Sequence, residues 1–189
     1  MAHTRASVDY FFPQHRGPGL VHELRTGGRA GVAAGLAMAV ALMGLSASLL
    51  GKSPFYALEV IAASVTGAGV LGHVTARAVL LGMLVHLMGP SLLWGVVFGL
   101  VIWVFRPERS IGLAWLGLVV GATAQVLDVN VLIPALSHSA TISNVIPLHV
   151  NEIWADHVPI TVSWMAHLVY GFALSLHPWR FDPGARTFD

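Results

Sequence analysis

The sequence is poor in charge and contains no cysteine. Charged residues make up 10% of its 189 residues, whereas soluble domains carry roughly 25%. The absence of cysteine excludes disulfides, thiolate metal sites and cysteine nucleophiles. With 56% hydrophobic residues and a mean hydropathy of +0.73, the composition indicates an integral membrane protein rather than a water-soluble one.

Signals of catalysis and of nucleic acid binding are also missing. The formal net charge of +1 provides no basic surface for a nucleic acid. We find no Ser-His-Asp order, no phosphate-binding loop and no paired-glycine nucleotide motif. The chain is therefore predicted not to be a self-contained enzyme. Ten histidines outnumber the nine carboxylates, so the chain is histidine-rich.

Four apolar stretches are long enough to cross a membrane, which takes about 20 helical residues. They predict an all-α, polytopic membrane protein with a single domain over residues 1–189. The second stretch contains Gly89-Pro90, which predicts a kink. The predicted spans are 30–50, 78–105, 111–133 and 159–176.

Two shorter helices are predicted outside these spans. Residues 53–67 begin with Ser53 and Pro54, which suit a helix start, and end at Gly67. This segment reaches only about 20 Å, too little for a hydrocarbon core of about 30 Å, so it predicts a surface or re-entrant helix. Residues 146–157 form an amphipathic pattern with Trp154, which predicts a helix on the outer surface within a loop over 137–158.

The distribution of lysine and arginine predicts the orientation. The side that carries most of these residues faces the cytoplasm, which places the tails 1–29 and 177–189 there, in a bacterial inner membrane. The opposite side has Lys52 and Arg77. The predicted cytoplasmic side holds Arg5, Arg16, Arg25, Arg29, Arg106, Arg109, Arg180 and Arg186.

Small residues recur every four positions along three of the spans, a spacing that lets helix backbones approach closely in lipid. This pattern predicts packing inside the bundle; alternatively, the stripe on the first span docks a partner subunit. The stripes are Gly27, Gly31, Gly35 and Ala39, then Ser91, Gly95 and Gly99, and then Gly117 and Gly121.

Two histidines lie at matched depth in the second and fourth spans. His86 comes nine residues after Arg77, and His167 comes eight residues after Pro159. Pro90 frees the carbonyl of His86, because proline has no N–H for the residue four positions earlier. Intramembrane ionisable residues normally face a bundle interior. We therefore expect both rings to point inward.

Three hypotheses follow for these histidines. Neutral rings could hydrogen-bond across helices, to Tyr170, to Gln125 or to freed carbonyls. They could instead be the axial ligands of a b-type haem or belong to a transition-metal site, with Tyr170 and Gln125 completing the cofactor pocket. A proton or ion relay is the third hypothesis, because histidine titrates near neutrality.

A second group of metal-binding residue types occupies the predicted outer loop. Imidazole and carboxylate side chains suit Zn²⁺ or Cu²⁺, but their spacing matches no established motif. A solvated, anionic surface that faces a partner is the alternative. The residues are His149, Glu152, Asp156 and His157.

The second half of the chain resembles the YagU-like group of small bacterial inner-membrane proteins. The matching features are GLVVGATAQ (117–125), Pro134 before a long loop, and AHLVYG (166–171) in the last span. The resemblance implies a four-helix inner-membrane protein with a histidine in its last span. It implies no particular activity.

These patterns favour a non-catalytic accessory subunit of a larger bacterial membrane complex, with an electron-transfer complex, respiratory or photosynthetic, as the best candidate. Its partners would be the lipid bilayer and other protein chains. The first alternative is a membrane protein that binds haem or a metal through His86 and His167. A small transporter or channel is the third.

Overall fold

The computed structural model describes residues 19–72, 74–107, 110–132, 154 and 157–176, and the regular elements in these ranges are all helical. The predicted all-α class is thus confirmed for this part of the chain. The predicted outer helix 146–157 and the loop 137–158 lie almost entirely outside the described residues. Residues 1–18 and 177–189 of the predicted tails lie outside them as well.

Six α-helices have defined bounds within the described residues. Two π-helical turns accompany them: Leu87–Ser91 joins α3 to α4, and Asp128–Leu132 extends α5. The helices are α1 (Leu20–Leu49), α2 (Tyr56–Thr66), α3 (Ala76–His86), α4 (Leu92–Phe105), α5 (Ser110–Leu127) and α6 (Ile160–Leu176).

Among the residues that the structure describes, three helical segments are long and apolar enough to cross a membrane: Leu20–Leu49, Ala76–Phe105 and Ser110–Leu132. They include the first three predicted spans almost completely. The fourth predicted span corresponds to α6, which has 17 residues. The predicted short helix corresponds to α2, whose 11 residues extend about 16 Å.

The first helix begins at Leu20, ten residues before the apolar stretch that was predicted to span. Its first three turns include Glu23, Arg25 and Arg29, and both arginines are exposed. Hydropathy marks where a helix could enter hydrocarbon, whereas the helical hydrogen bonds continue into polar sequence. The residue at which α1 begins was therefore not predictable from hydropathy.

The predicted kink in the second span is confirmed. Gly89 departs from helical geometry, with φ −88° and ψ −105°, inside the π-helical turn that contains Pro90. Proline removes one backbone donor and crowds the preceding turn, and a π-helical turn accommodates that defect. Below the kink, α3 starts at a cap in which Thr75 Oγ1 accepts from the N–H of Ala78 at 3.1 Å.

Glycines bring four of the helices, α1, α4, α5 and α6, into backbone contact at one end of the bundle. A Cβ built on Gly31 of α1 would lie 2.7 Å from the Cα of Gly95 on α4, and one built on Gly121 of α5 would lie 2.9 Å from the Cα of Gly171 on α6. Only residues without a side chain permit such contacts. The predicted packing of the stripes inside the bundle is therefore confirmed, and the stripe on α1 is buried within the chain.

These contacts define what we call the glycine half. The start of α1 pairs with the end of α4, and the start of α5 pairs with the end of α6; the short connection 106–109 keeps α4 and α5 at the same end. The opposite end, which contains the kink and the π-helical turn after α5, is called the polar half. The glycine half contains Gly27, Gly31, Gly95, Gly99, Gly117, Gly121 and Gly171.

Candidate functional site

The polar half buries a group of polar and titratable side chains. They come from α3, from both π-helical turns, from α5 and from α6. Each of these side chains belongs to a residue that is less than a tenth exposed. The residues are His86, Ser91, Gln125, Asp128, Ser163 and His167.

The ring of His167 has a defined orientation. Its Nδ1 lies 2.9 Å from the carbonyl oxygen of Ser163, one turn earlier on α6. Because a carbonyl only accepts, Nδ1 must carry a hydrogen and donate it. The other ring nitrogen, Nε2, lies 3.7 Å from Oδ2 of Asp128. The ring therefore links α6 to the end of α5.

Asp128 has partners on both of its oxygens. The indole Nε1 of Trp94 on α4 donates to Oδ1 at 2.7 Å, while Oδ2 faces His167. Asp128 is the first residue of the π-helical turn after α5, and its carboxylate joins α4, α5 and α6. Burial of a carboxylate in a bundle requires such partners.

Two further hydrogen bonds connect α6 to its neighbours. Ser163 Oγ donates to Oε1 of Gln125 on α5 at 2.6 Å. The hydroxyl of Tyr170 donates to the carbonyl of Ser91 at 2.7 Å. Gln125 and Tyr170 were predicted as members of a cofactor pocket; in the structure each makes an interhelical hydrogen bond.

His86 is bonded to α1. Its Nε2 lies 3.0 Å from the carbonyl oxygen of Gly35 and therefore donates to it, which leaves Nδ1 as the basic nitrogen of a neutral ring. A Cβ on Gly35 would lie 2.6 Å from the Cβ of Ser91. The kinked segment approaches α1 closely because position 35 has no side chain.

A cavity of about 90 Å³ lies among these residues. Apolar side chains of α1 and α2, such as Met38, Leu42 and Ile61, form part of its wall. The two predicted histidines and Tyr170 line the same cavity, whereas Gln125 lies one turn along α5 and bonds to Ser163. The polar side chains of the wall are Ser64, His86, Ser91, Trp94, Asp128, Trp154, His167 and Tyr170.

The cavity does not fit a haem. Sites for cofactors of that size usually measure about 300–1,000 Å³, several times the volume between these residues. One nitrogen of each ring is also engaged by a backbone carbonyl. Within the described ranges, no group of three or more His, Cys, Asp or Glu side chains is arranged to hold a metal ion.

The predicted outer metal cluster stays a prediction. His149, Glu152 and Asp156 lie outside the described residues. The ring of the fourth member, His157, packs against Tyr56 with centroids 6.3 Å apart. Burial raises the pKa of Tyr56, with the charge of Glu59 as the second cause, so this phenol stays neutral under physiological conditions.

Sequence reasoning missed Trp94 and Asp128 as members of the site. Asp128 follows Gln125 by three residues, so the two share a helix face, and that spacing could have identified it. Trp94 gave no such signal, because tryptophan is common in apolar spans.

No protein-family model, curated protein or solved structure matches this chain.

Proposed function

We propose that this chain is a four-span, non-catalytic subunit of a larger membrane complex in the bacterial inner membrane. The observation that carries the proposal is that buried polar atoms form hydrogen bonds between helices. Trp94 with Asp128, Ser163 with Gln125, and Tyr170 with Ser91 each join two different helices. A polar interior of this kind stabilises a helix bundle, because interhelical hydrogen bonds support association in lipid.

The fourth span in this proposal is α6. Its 17 residues extend about 25 Å, close to the thickness of the hydrocarbon core. It packs along both α5 and α1, each of which is long enough to cross. A helix that lies beside two spans over its length is most simply a span as well.

The glycine half argues against a transporter or channel. Backbone contacts close α1 against α4, and α5 against α6, at their glycines. A pathway across the membrane needs polar residues or a water-filled passage along its length. The cavity lies in the polar half, and the packed helices of the glycine half bound it on that side.

The type of complex that we propose is an electron-transfer complex. Such complexes exchange protons as well as electrons, and this chain buries two imidazoles and a carboxylate around one cavity. The proposal that the chain is a subunit does not depend on this choice.

The decisive experiment is purification of the chromosomally tagged chain in mild detergent. We expect a complex of fixed stoichiometry by native mass spectrometry, and we expect that complex to be lost from membranes when the chain is deleted. A Gly31→Leu variant, which cannot pack α1 against α4, serves as the matched negative control. A chain that migrates alone, with every membrane complex intact after its deletion, would refute the proposal.

A further inference from the structure

The protons of the Asp128–His167 pair can be assigned from the partners of its four polar atoms. His167 Nδ1 carries a hydrogen, because it faces the carbonyl of Ser163 at 2.9 Å. Asp128 Oδ1 accepts from the indole N–H of Trp94, and an indole nitrogen is a donor only. The two remaining atoms, Nε2 and Oδ2, face each other at 3.7 Å.

Without another proton, these two facing atoms would both present lone pairs. A neutral ring beside an ionised carboxylate would also leave a net negative charge inside an apolar bundle, which is costly. One added proton removes both problems. It makes the pair either imidazolium with carboxylate or neutral imidazole with carboxylic acid, and in both forms the net charge is zero.

We propose that Asp128 and His167 together form a proton-binding site that holds one exchangeable proton at the edge of the cavity. The ligand is a hydrogen ion, and the site does not depend on the proposed role as a subunit. In release, the Nε2–H or Oδ2–H bond breaks, the electron pair stays on the nitrogen or oxygen, and the proton passes to a water molecule. The pair is left with a charge of minus one.

The geometry favours exchange over a locked contact. Direct hydrogen bonds from nitrogen to oxygen measure about 2.7–3.2 Å, and the distance between Nε2 and Oδ2 is 3.7 Å. A water molecule in the adjoining cavity can therefore reach both atoms.

The groups that face the pair define where a released proton goes. From α6 the pair meets Tyr170, whose hydroxyl proton is donated to Ser91. From α3 it meets His86, whose Nδ1 is the basic nitrogen of that ring because Nε2 donates to Gly35. The described lining residues of α1, α2 and α4 carry no titratable side chain. His86 is thus the second base of the cavity.

Nuclear magnetic resonance of the full chain in lipid nanodiscs can test the site. Histidine rings labelled with ¹⁵N and aspartates labelled with ¹³C at the carboxyl carbon would be followed across a titration from acid to alkaline pH. We expect Nδ1 of His167 to stay protonated throughout, and we expect a proton shared by Nε2 and Asp128 to be lost in one step. His167→Gln and Asp128→Asn assign the signals.

Counting protons gives an independent measure. Potentiometric titration should release one more proton per chain from the wild type than from Asp128→Asn over the same range. Asn130→Ala, in the same π-helical turn but on an exposed side chain, should release as many as the wild type. If Asp128→Asn fails to fold, the wild-type spectra alone decide. An ionised Asp128 beside a neutral His167 at every pH would overturn the proposal.

Discussion

The two halves of the bundle hold helices together by opposite means. In the glycine half, α1 and α4 meet backbone to backbone because Gly27, Gly31, Gly95 and Gly99 have no side chains. In the polar half, α3 still approaches the backbone of α2 at Gly82 and the kinked segment approaches α1 at Gly35, but hydrogen bonds of Asp128 and its neighbours connect α4, α5 and α6. Lipid provides no hydrophobic force between helices, so van der Waals packing and hydrogen bonds are what remain. The glycine half uses packing, and the polar half adds interhelical hydrogen bonds to it.

The change from one half to the other occurs at identifiable residues. Along α1, the contact positions change from Gly31 and Gly35 to Met38 and Leu42, which line the cavity. On the facing segment, the π-helical turn at Leu87–Ser91 interrupts the regular helix at the same level. Larger side chains and a kink together open the space in which the polar residues meet.

The largest effect is expected from filling the glycine half. In Gly31→Leu, the new Cβ would lie 2.7 Å from the Cα of Gly95, and backbone cannot yield as a flexible side chain can. We expect a loss of about 3 kcal/mol or more in the free energy of unfolding, at the upper end of overpacking effects. The free energy of unfolding can be measured by unfolding the protein in mixed micelles of rising SDS content.

Gly44→Leu is the matched control, because position 44 lies on the same helix and a Cβ there has no atom within 4 Å. It should change the unfolding free energy little. Equal losses for the two variants would show that the contact between α1 and α4 is unimportant.

The next largest effect is expected from the Trp94–Asp128 hydrogen bond of the polar half. Asp128→Ala leaves the buried indole N–H without its acceptor, and we expect a cost of about 1–3 kcal/mol. A double-mutant cycle with Trp94→Phe separates the bond itself from other losses. Its coupling energy should fall near 0.6–1.7 kcal/mol, roughly the range found for interhelical hydrogen bonds in membranes.

Asn130→Ala controls for damage to the π-helical turn, since the exposed side chain of Asn130 donates to the carbonyl of Val126 on its own helix. A coupling energy of zero in the cycle would mean that the Trp94–Asp128 bond contributes nothing to stability.

A smaller effect is expected at His167. In His167→Gln, the amide can still donate to a neighbouring acceptor, so assembly should stay intact. His167→Leu should cost about 1–2 kcal/mol, because it removes a buried hydrogen-bonding side chain. The same SDS titration measures both, with His22→Leu on the exposed face of α1 as the control. If His167→Gln were as damaging as His167→Leu, hydrogen bonding would not explain the role of the ring.

The sequence contained more information about the glycine half than about the polar half. Glycines spaced every four residues predict close contact whichever helix faces them, and that prediction is confirmed. The polar contacts depend on how each helix is rotated toward its neighbours. Matched depth indicated that His86 and His167 share an interior. Depth alone could not indicate that His86 bonds to the carbonyl of Gly35, or that the π-helical turn directs Asp128 at His167.

The smallest effect on stability, and the sharpest distinction between the halves, is expected from cysteine labelling. The positive-inside rule and the arginines near the ends of α1 and α4 predict that the glycine half faces the cytoplasm and the polar half faces outward. The chain has no cysteine of its own, so all thiol labelling comes from the single cysteine that is introduced.

Val74→Cys, exposed before α3, and Ser110→Cys, exposed at the start of α5, should both fold as the wild type does. A membrane-impermeant maleimide added to intact spheroplasts should label position 74 and should label position 110 only after the membrane is opened. The reverse pattern would place the Asp128–His167 pair on the cytoplasmic side, and equal labelling at both positions would contradict a fixed orientation of the bundle.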